Sequence, residues 1–235
     1  MESQLLKDMG EDDLFNCSTL SEKAHDQVGG TCYAHAIATV IASVERRIGR
    51  TPKDHDVIVD EIVRKYGSNG CSPKKILKDE CGRRGLLFCE NTSEKEVKEW
   101  VKKGHAILTS LYYDQNQRDD LCKFTRKKSS EILTSNHLSP LERDMDVKIG
   151  AHSIVISGYN EKGNYWRMKN SWGENSADKG YWDVSVDAPF EFSYYHIDSL
   201  QDLTLAEIQN FAEKYDGLNP EIREELMRRS QFDPS

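Results

Sequence analysis

The sequence contains no run of about 18 apolar residues, so no segment is predicted to cross a membrane. It also has no excess of positive charge: 32 lysines and arginines stand against 40 aspartates and glutamates, a formal net charge of −8. This balance argues against binding nucleic acid or an anionic membrane through bulk charge. The short basic run at 126–128 is interpreted as a solvated helix face. Internal repeats and low-complexity tracts are also missing, which leaves an ordinary globular protein.

No C-x-x-C pair occurs among the six cysteines, so a structural zinc site is not expected, and we predict neither a metal nor another cofactor. A chain of 235 residues can fold without a disulfide framework, and free buried thiols are the simplest interpretation. A disulfide among Cys71, Cys81 and Cys89 is the alternative, because these three cysteines lie close together in the sequence.

The first 15 residues are acidic and polar, without the basic and apolar regions of a signal peptide. Two expectations about localisation stay open. The protein is cytoplasmic, or it is a domain of a longer, secreted precursor whose signal and pro-segment have been removed.

The clearest predicted helix begins at Thr31 and stops at Gly49. It contains several alanines and an apolar face at helical spacing, which is typical of a helix packed deep between neighbours. A second helix is predicted near 53–66. The apolar face of the first helix consists of Ile37, Val40, Ile41, Val44 and Ile48.

Two further helices are predicted from their start signals. Ser72 is a candidate N-cap with Pro73 at the first helical position. Ser93 and Glu96 have the spacing of a capping box, and the helix that they open is predicted to end at Gly104.

The pattern after Gly104 is that of strands. One strand is predicted at 105–113, and a helix is predicted around 121–133 in the polar stretch that follows. The other predicted strands are 151–160, 164–169, 180–186 and 191–195. In the tail, Thr204 and Glu207 form another capping box, and a last helix is predicted to open at 219–220.

This order of helices, strands and a helical tail predicts an α+β fold. We expect a mainly helical part at 15–103, a mainly β part at 104–199 and a helical C-terminal extension at 200–235. The extension is expected to pack on the back of the domain, or alternatively to dock on a partner or on the rest of the chain.

Cys32 is the first candidate catalytic residue. It stands beside the start of the long predicted helix, after Gly29 and Gly30, which let the preceding loop fold tightly. The partial positive charge at a helix N-terminus favours an anion such as a thiolate there. Taken alone, a cysteine in this place is more often a small buried apolar residue. A catalytic role for Cys32 therefore depends on whether the chain also supplies a base and an orienting residue.

Two such partners follow later in the chain. His152 lies 120 residues after Cys32 at the opening of a predicted strand, and Asn170 ends the next strand. A general base must share a hydrogen bond with its nucleophile, and a third group must fix the tautomer of the base. Neighbouring strands of a hairpin can bring a histidine and an asparagine side by side. If each residue is considered alone, the simpler interpretation is that His152 is a core histidine and Asn170 is a turn residue.

Three segments in this order resemble papain and the cathepsins, a family of cysteine peptidases. Residues 27–34 (QVGGTCYA) resemble the nucleophile segment and 151–159 (AHSIVISGY) the histidine strand. Residues 165–173 (YWRMKNSWG), followed by 180–182 (GYW), resemble the asparagine segment. The KNSWG string is the most specific of these signals, and the resemblance covers roughly 15–195.

The resemblance implies a two-lobed fold, with a helical lobe around a central helix, a β-barrel-like lobe and the active site in the cleft between them. It also implies a thiolate–imidazolium pair of Cys32 and His152, with Asn170 orienting the imidazole and Trp172 shielding their hydrogen bond. Gln27 would form the oxyanion hole together with the backbone N–H of Cys32. The substrate, a peptide or protein, would lie along a wall that includes Gly70, Cys71 and Pro73.

The chain departs from the family pattern at several positions. Gln27 stands five positions before Cys32, where the family usually has six, and Gly29 replaces a cysteine that normally forms a disulfide. Tyr33 replaces a tryptophan, and His35 is interpreted as helix packing rather than as a catalytic group. The stretch 111–149 is longer than in papain and is expected to rim the primed side of the cleft.

Two alternative functions stay open at this point. One is another acyl transferase with the same triad, such as a transglutaminase or transpeptidase, although transglutaminases normally have aspartate as the third member. The other is a papain-fold binding module that is catalytically weak or inactive.

Overall fold

The computed structural model describes residues 14–20, 23–91, 93–127, 130–141 and 150–199, together with 204, 206, 224 and 228. The helices are α1 (Cys32–Arg47), α2 (His55–Tyr66), α3 (Pro73–Arg84), α4 (Glu94–Lys102) and α5 (Gln115–Thr125). The strands are β1 (Leu14–Asn16), β2 (Leu87–Asn91), β3 (Ile107–Tyr113), β4 (Ile132–Leu133), β5 (Gly150–Asn160), β6 (Tyr165–Lys169), β7 (Tyr181–Ser185) and β8 (Glu191–Asp198).

The long helix α1 lies at the centre of the helical part. All its residues from 33 to 45 are buried, which explains the alanines that separate its branched apolar side chains. Arg46 and Arg47 occupy the last turn, where positive charge complements the helix dipole. The predicted deep helix is therefore confirmed.

The ends of the other helices follow their local sequence signals. Asp54 caps α2 by accepting a hydrogen bond from the backbone N–H of Asp56 at 2.9 Å. Gly85 ends α3 in the left-handed conformation, at φ 62°. At the start of α4, Ser93 and Glu96 form both hydrogen bonds of the predicted capping box.

Eight strands form one sheet in the order β2-β8-β3-β5-β6-β7-β4, and β1 adds to the end of β5. All pairs are antiparallel except β4 with β7. Strand β5 is the organising strand because β1, β3 and β6 all pair with it. A bulge between Ile156 and Gly158 lets β5 change its register against β6.

Two hydrophobic cores lie on the two sides of this sheet, and alternate residues of β5 point to them. Val155 belongs to the core that includes α1, α2 and α3. Ile154 and Ile156 belong to the other core, with residues of α4, α5, β6 and β7. His152 lies two residues before Ile154 and therefore points to the same face of the strand. The strand geometry thus directs its side chain toward the core that contains residues of β6 and β7.

The sequence-based prediction differs from the structure in several elements. It missed β1, β2 and β4, which are short or lie beside predicted helices. It placed a helix around 121–133, whereas α5 spans Gln115–Thr125 because Asp114 caps it by accepting from the N–H of Gln117 at 2.9 Å. The predicted C-terminal helices and their docking lie outside the described residues, apart from isolated positions.

Two further properties of the described residues bear on the sequence analysis. The six cysteines are all free, so the alternative of a disulfide among Cys71, Cys81 and Cys89 is wrong. None of the described helices has the length and apolar character needed to cross a bilayer.

Candidate active site

Cys32 is the first residue of α1 and is partly exposed. The loop before it turns tightly because Gly29 adopts a φ of 65°, which favours glycine. Thr31 Oγ1 donates a hydrogen bond to the carbonyl of Val28 at 2.9 Å and so fixes the approach to the helix.

His152 and Asn170 lie side by side, as the hairpin of β5 and β6 requires. The Nε2 atom of His152 donates to Oδ1 of Asn170 at 2.7 Å, and both side chains are buried. The backbone N–H of Asn170 donates to the carbonyl of Gly180 at 2.9 Å and holds the asparagine at the end of β6. A proton on Nε2 leaves Nδ1 as the basic nitrogen of the imidazole.

Two tryptophans cover the imidazole. The ring centroids of Trp172 and Trp182 lie 4.9 Å and 5.9 Å from that of His152, and the two indoles meet edge to face at 5.0 Å. Burial lowers the pKa of His152 to about 4, while the hydrogen bond with Asn170 raises it. Trp182 was not singled out from the sequence, although it belongs to the GYW segment that the resemblance includes.

Tyr113 links the position of Cys32 with that of His152. Burial raises the pKa of Tyr113, and the negative charge of a Cys32 thiolate raises it further, so the sulfur lies within electrostatic range of this side chain. Tyr113 pairs with Gly150, two residues before His152, and a Cβ at Gly150 would lie 2.6 Å from the Tyr113 ring. Tyr113 is thus electrostatically coupled to Cys32 and pairs with the start of β5, two residues before His152.

Gln27 is held against the asparagine segment rather than in solvent. Its backbone N–H donates to the carbonyl of Ser171 at 2.7 Å, and its side-chain Oε1 accepts from Ser171 Oγ at 2.7 Å. Its Nε2 donates one hydrogen bond to the carbonyl of Gly29 at 2.8 Å. A primary amide nitrogen carries two protons, so one remains for another acceptor. Ser171 is a positioning residue that sequence reasoning missed.

The segment with Gly70, Cys71 and Pro73 connects α2 to α3 next to the nucleophile loop. A Cβ on Gly30 would lie 2.8 Å from the backbone nitrogen of Gly70, so the two loops approach as closely as glycine permits. The sulfur of Cys71 donates to the carbonyl of Tyr66 at 3.1 Å, and Pro73 is the first residue of α3. The structure thus brings this predicted wall beside Cys32.

The architecture is similar to solved structures of cysteine proteases. The bromelain protease from Ananas comosus matches at 14% identity and a TM-score of 0.57, over 80% of this chain and 99% of that chain. Xylellain, a cysteine protease from Xylella fastidiosa, matches at 15% identity and a TM-score of 0.52, over 80% and 86%. Digestive procathepsin L2 proteinase from the larval midgut of Tenebrio molitor matches at 14% and 0.53, over 79% and 68%.

This chain has the papain-like α+β fold. The expected fold class is confirmed, whereas a likeness at this level of identity carries no activity with it. No protein-family model matches the chain, and no curated protein matches it. The papain-like fold accounts for the geometry above, because it brings the start of a central helix next to strands of a sheet that come much later in the chain.

Proposed function

We propose that this protein is a cysteine peptidase in which Cys32 is the nucleophile, His152 the general acid and base, and Asn170 the orienting residue. The observation that carries the proposal is the buried His152–Asn170 hydrogen bond under Trp172, on a sheet that packs against the helix opened by Cys32. The proposal is supported by three elements that an activated thiol needs: a candidate base, a group that fixes its tautomer, and a helix N-terminus at the nucleophile.

The proposed reaction has two halves. The Cys32 thiolate attacks the scissile carbonyl carbon, and the imidazolium of His152 gives its proton to the leaving amine as the C–N bond breaks, which leaves a thioester. His152 then removes a proton from water, the hydroxide attacks the thioester, and the carboxylic acid and the thiolate are released. The remaining Nε2 proton of Gln27 and the backbone N–H of Cys32 stabilise the oxyanion.

The proposed substrate is a peptide or protein. Its backbone would run along the wall formed by Gly70, Cys71 and Pro73, which lies beside the nucleophile loop. A cavity of about 270 Å³ is lined by Cys122, Thr125, Arg126, Trp172, Asn175 and Ser176. Three of these residues come from α5 and its end, which supports the proposal that part of the stretch 111–149 rims the primed side.

An inactive or weakly active binding module is the second candidate, and one observation favours it. Burial lowers the pKa of His152, and this opposes the imidazolium that an ion pair with Cys32 requires. The ion pair forms only if the charge of the thiolate compensates for the desolvation of the imidazole.

Active-site titration separates the two candidates. An epoxide inhibitor of cysteine peptidases is expected to label one site per molecule at mildly acidic to neutral pH, and mass spectrometry of the intact protein measures the label. The label is expected to be lost in Cys32→Ala and kept in Cys122→Ala, a matched control because Cys122 is also partly exposed. An unlabelled wild-type protein, or a label that persists in Cys32→Ala, would contradict the peptidase proposal.

Replacement of Asn170 by alanine tests the orienting role. A hydrogen bond to a charged group contributes about 1.5–3 kcal/mol, so kcat/KM is expected to fall by about 10- to 150-fold. Because the bond raises the pKa of His152, its loss should also move the alkaline limb of the pH–rate profile to lower pH. The exposed Asn116→Ala, which lies outside the cavity that Trp172 lines, is the control, and an unshifted profile in Asn170→Ala would argue against the role.

A further inference from the structure

A second group of chemically active side chains lies behind the candidate active site. His25 precedes Gln27 in the nucleophile loop, and His55 and Asp56 open α2. The Nδ1 atom of His25 lies 3.0 Å from Oδ1 of Asp56, and that of His55 lies 3.3 Å from the same oxygen. The two imidazole rings stack with centroids 3.6 Å apart and an interplanar angle of 16°. The Nδ1 atoms of the two imidazoles thus lie close to the same carboxylate oxygen.

We infer that His25, His55 and Asp56 form a binding site for a divalent transition-metal ion of the zinc class. Their ligand atoms lie within 4.8 Å of one another. In a tetrahedral zinc site with bonds of about 2.0–2.1 Å, neighbouring ligand atoms are about 3.3 Å apart. The two distances to Asp56 are close to this separation. Because the rings are stacked, the imidazoles must also turn about their Cβ–Cγ bonds so that both Nδ1 lone pairs point at one ion.

The chemical types and the exposure of the three residues suit a metal. Imidazole nitrogens and a carboxylate oxygen are ligands that a zinc-class ion accepts. The side chain of Asp56 is 68% exposed, which gives an ion a path from solvent.

A small cavity next to the cluster provides an independent observation. It has room for about one water molecule, and His25, His55, His35 and Asn170 line it. His35 is 8% exposed, and its Nδ1 is buried without a hydrogen-bond partner. The Nδ2 atom of Asn170 is also buried without a hydrogen-bond partner. The Nε2 atom of His55 lies 3.3 Å from the carbonyl of His35 on this side, so a water in the cavity would serve the buried groups behind the rings while the Nδ1 atoms remain directed at Asp56.

The cluster also lies between the nucleophile loop, the asparagine segment and the start of α2. The carbonyl of His25 accepts from the N–H of Gly173 at 2.9 Å, and Asp26 forms a bridge with Trp172. A metal held by His25 and by the start of α2 would tie the asparagine segment and the nucleophile loop to the helical core. The site is structural and does not depend on the peptidase proposal.

A comparable group, His105 with His196 and Asp198, fits a metal less well. The distance from His105 Nδ1 to Asp198 Oδ2 is 4.0 Å, which is longer than a tetrahedral zinc site requires. The guanidinium of Arg47 lies 2.6 Å from Asp198 Oδ1 and already supplies a positive charge there.

Metal binding is tested on the full chain carrying Cys32→Ser, which prevents the active-site thiol from binding the ion. Zinc at about 100 times its dissociation constant is expected to raise Tm by about 5–10 °C, and a chelator should reverse the shift. Cobalt is expected to give d–d absorption of a tetrahedral site without a thiolate charge-transfer band.

Asp56→Asn keeps the shape and a hydrogen-bond acceptor but removes the anionic ligand, and His25→Ala removes a second ligand. Each is expected to abolish the Tm shift and to remove one equivalent of bound metal in a calorimetric titration. Asp60→Asn, an exposed aspartate on the same helix, is the matched control and should behave like the parent. An unchanged parent Tm with zinc, or an equal shift in Asp56→Asn, would show that Asp56 only bridges two imidazoles.

Discussion

His152→Ala is expected to lower kcat/KM for a peptide substrate by about 10⁴-fold, because removal of a triad member leaves only the oxyanion hole and binding to accelerate the reaction. The imidazole is 3% exposed, and its Nε2 is bound to Asn170, so no neighbouring described histidine can take its place. Steady-state kinetics on a fluorogenic peptide measures the loss. It should appear mainly in kcat, since the imidazole acts on the reacting atoms rather than on the remote parts of the substrate.

Two controls separate this chemical role from a structural one. Added imidazole should restore part of the rate to His152→Ala, because the substitution leaves space where the ring was. His137→Gln changes a partly buried histidine that bonds to Glu131 and should leave the rate unchanged. A His152→Ala variant that folds and keeps more than about a tenth of the activity would exclude His152 as the catalytic base.

Trp166→Ala is expected to lower the free energy of unfolding by about 3–5 kcal/mol. Trp166 on β6 is fully buried at 0% exposure in the core on the β6–β7 side, and its ring meets that of Tyr159 at a centroid distance of 4.9 Å. Truncation leaves a cavity that the surrounding strands can fill only in part, because they are held by their ladder hydrogen bonds.

Urea unfolding followed by circular dichroism measures this loss. Trp166→Phe should cost less than Trp166→Ala, because it keeps a ring in the same space. Val57→Ala, at a side chain 47% exposed on α2, should stay within about 0.5 kcal/mol of wild type. Equal stabilities of Trp166→Ala and the wild type would mean that this side of the sheet does not form a close-packed core.

The elements with strong local signals could be predicted from the sequence. The apolar face of α1, the capping box of α4 and the β-branched run at 154–156 in β5 are properties of neighbouring residues. Strand β1 could not be predicted, since its three residues acquire strand structure only by pairing with 158–160 of β5. The start of α5 was misplaced because Asp114 was not recognised as its N-cap.

The residues of the candidate site also differ in whether a local sequence pattern could identify them. Cys32, His152 and Asn170 were identified from short strings, and their roles stay predictions until the kinetic tests. Ser171 and Trp182 act through contacts made across the fold, with Gln27 and with the His152 ring, and no local pattern marks such contacts. The cluster of His25, His55 and Asp56 is of this kind too, since its first member lies 30 residues from the others.

The central position of β5 has a consequence for synthesis on the ribosome. The helix that begins at Cys32 is translated before the sheet strands that follow it. His152 on β5 is translated 120 residues after Cys32. Strand β1 pairs with residues up to Asn160, which are translated later still. Contacts so distant in sequence close large loops and make folding slow. A nascent chain therefore exposes the Cys32 thiol well before His152 can reach it, so the proposed hydrolytic activity would arise only after residues 150–170 have left the ribosome.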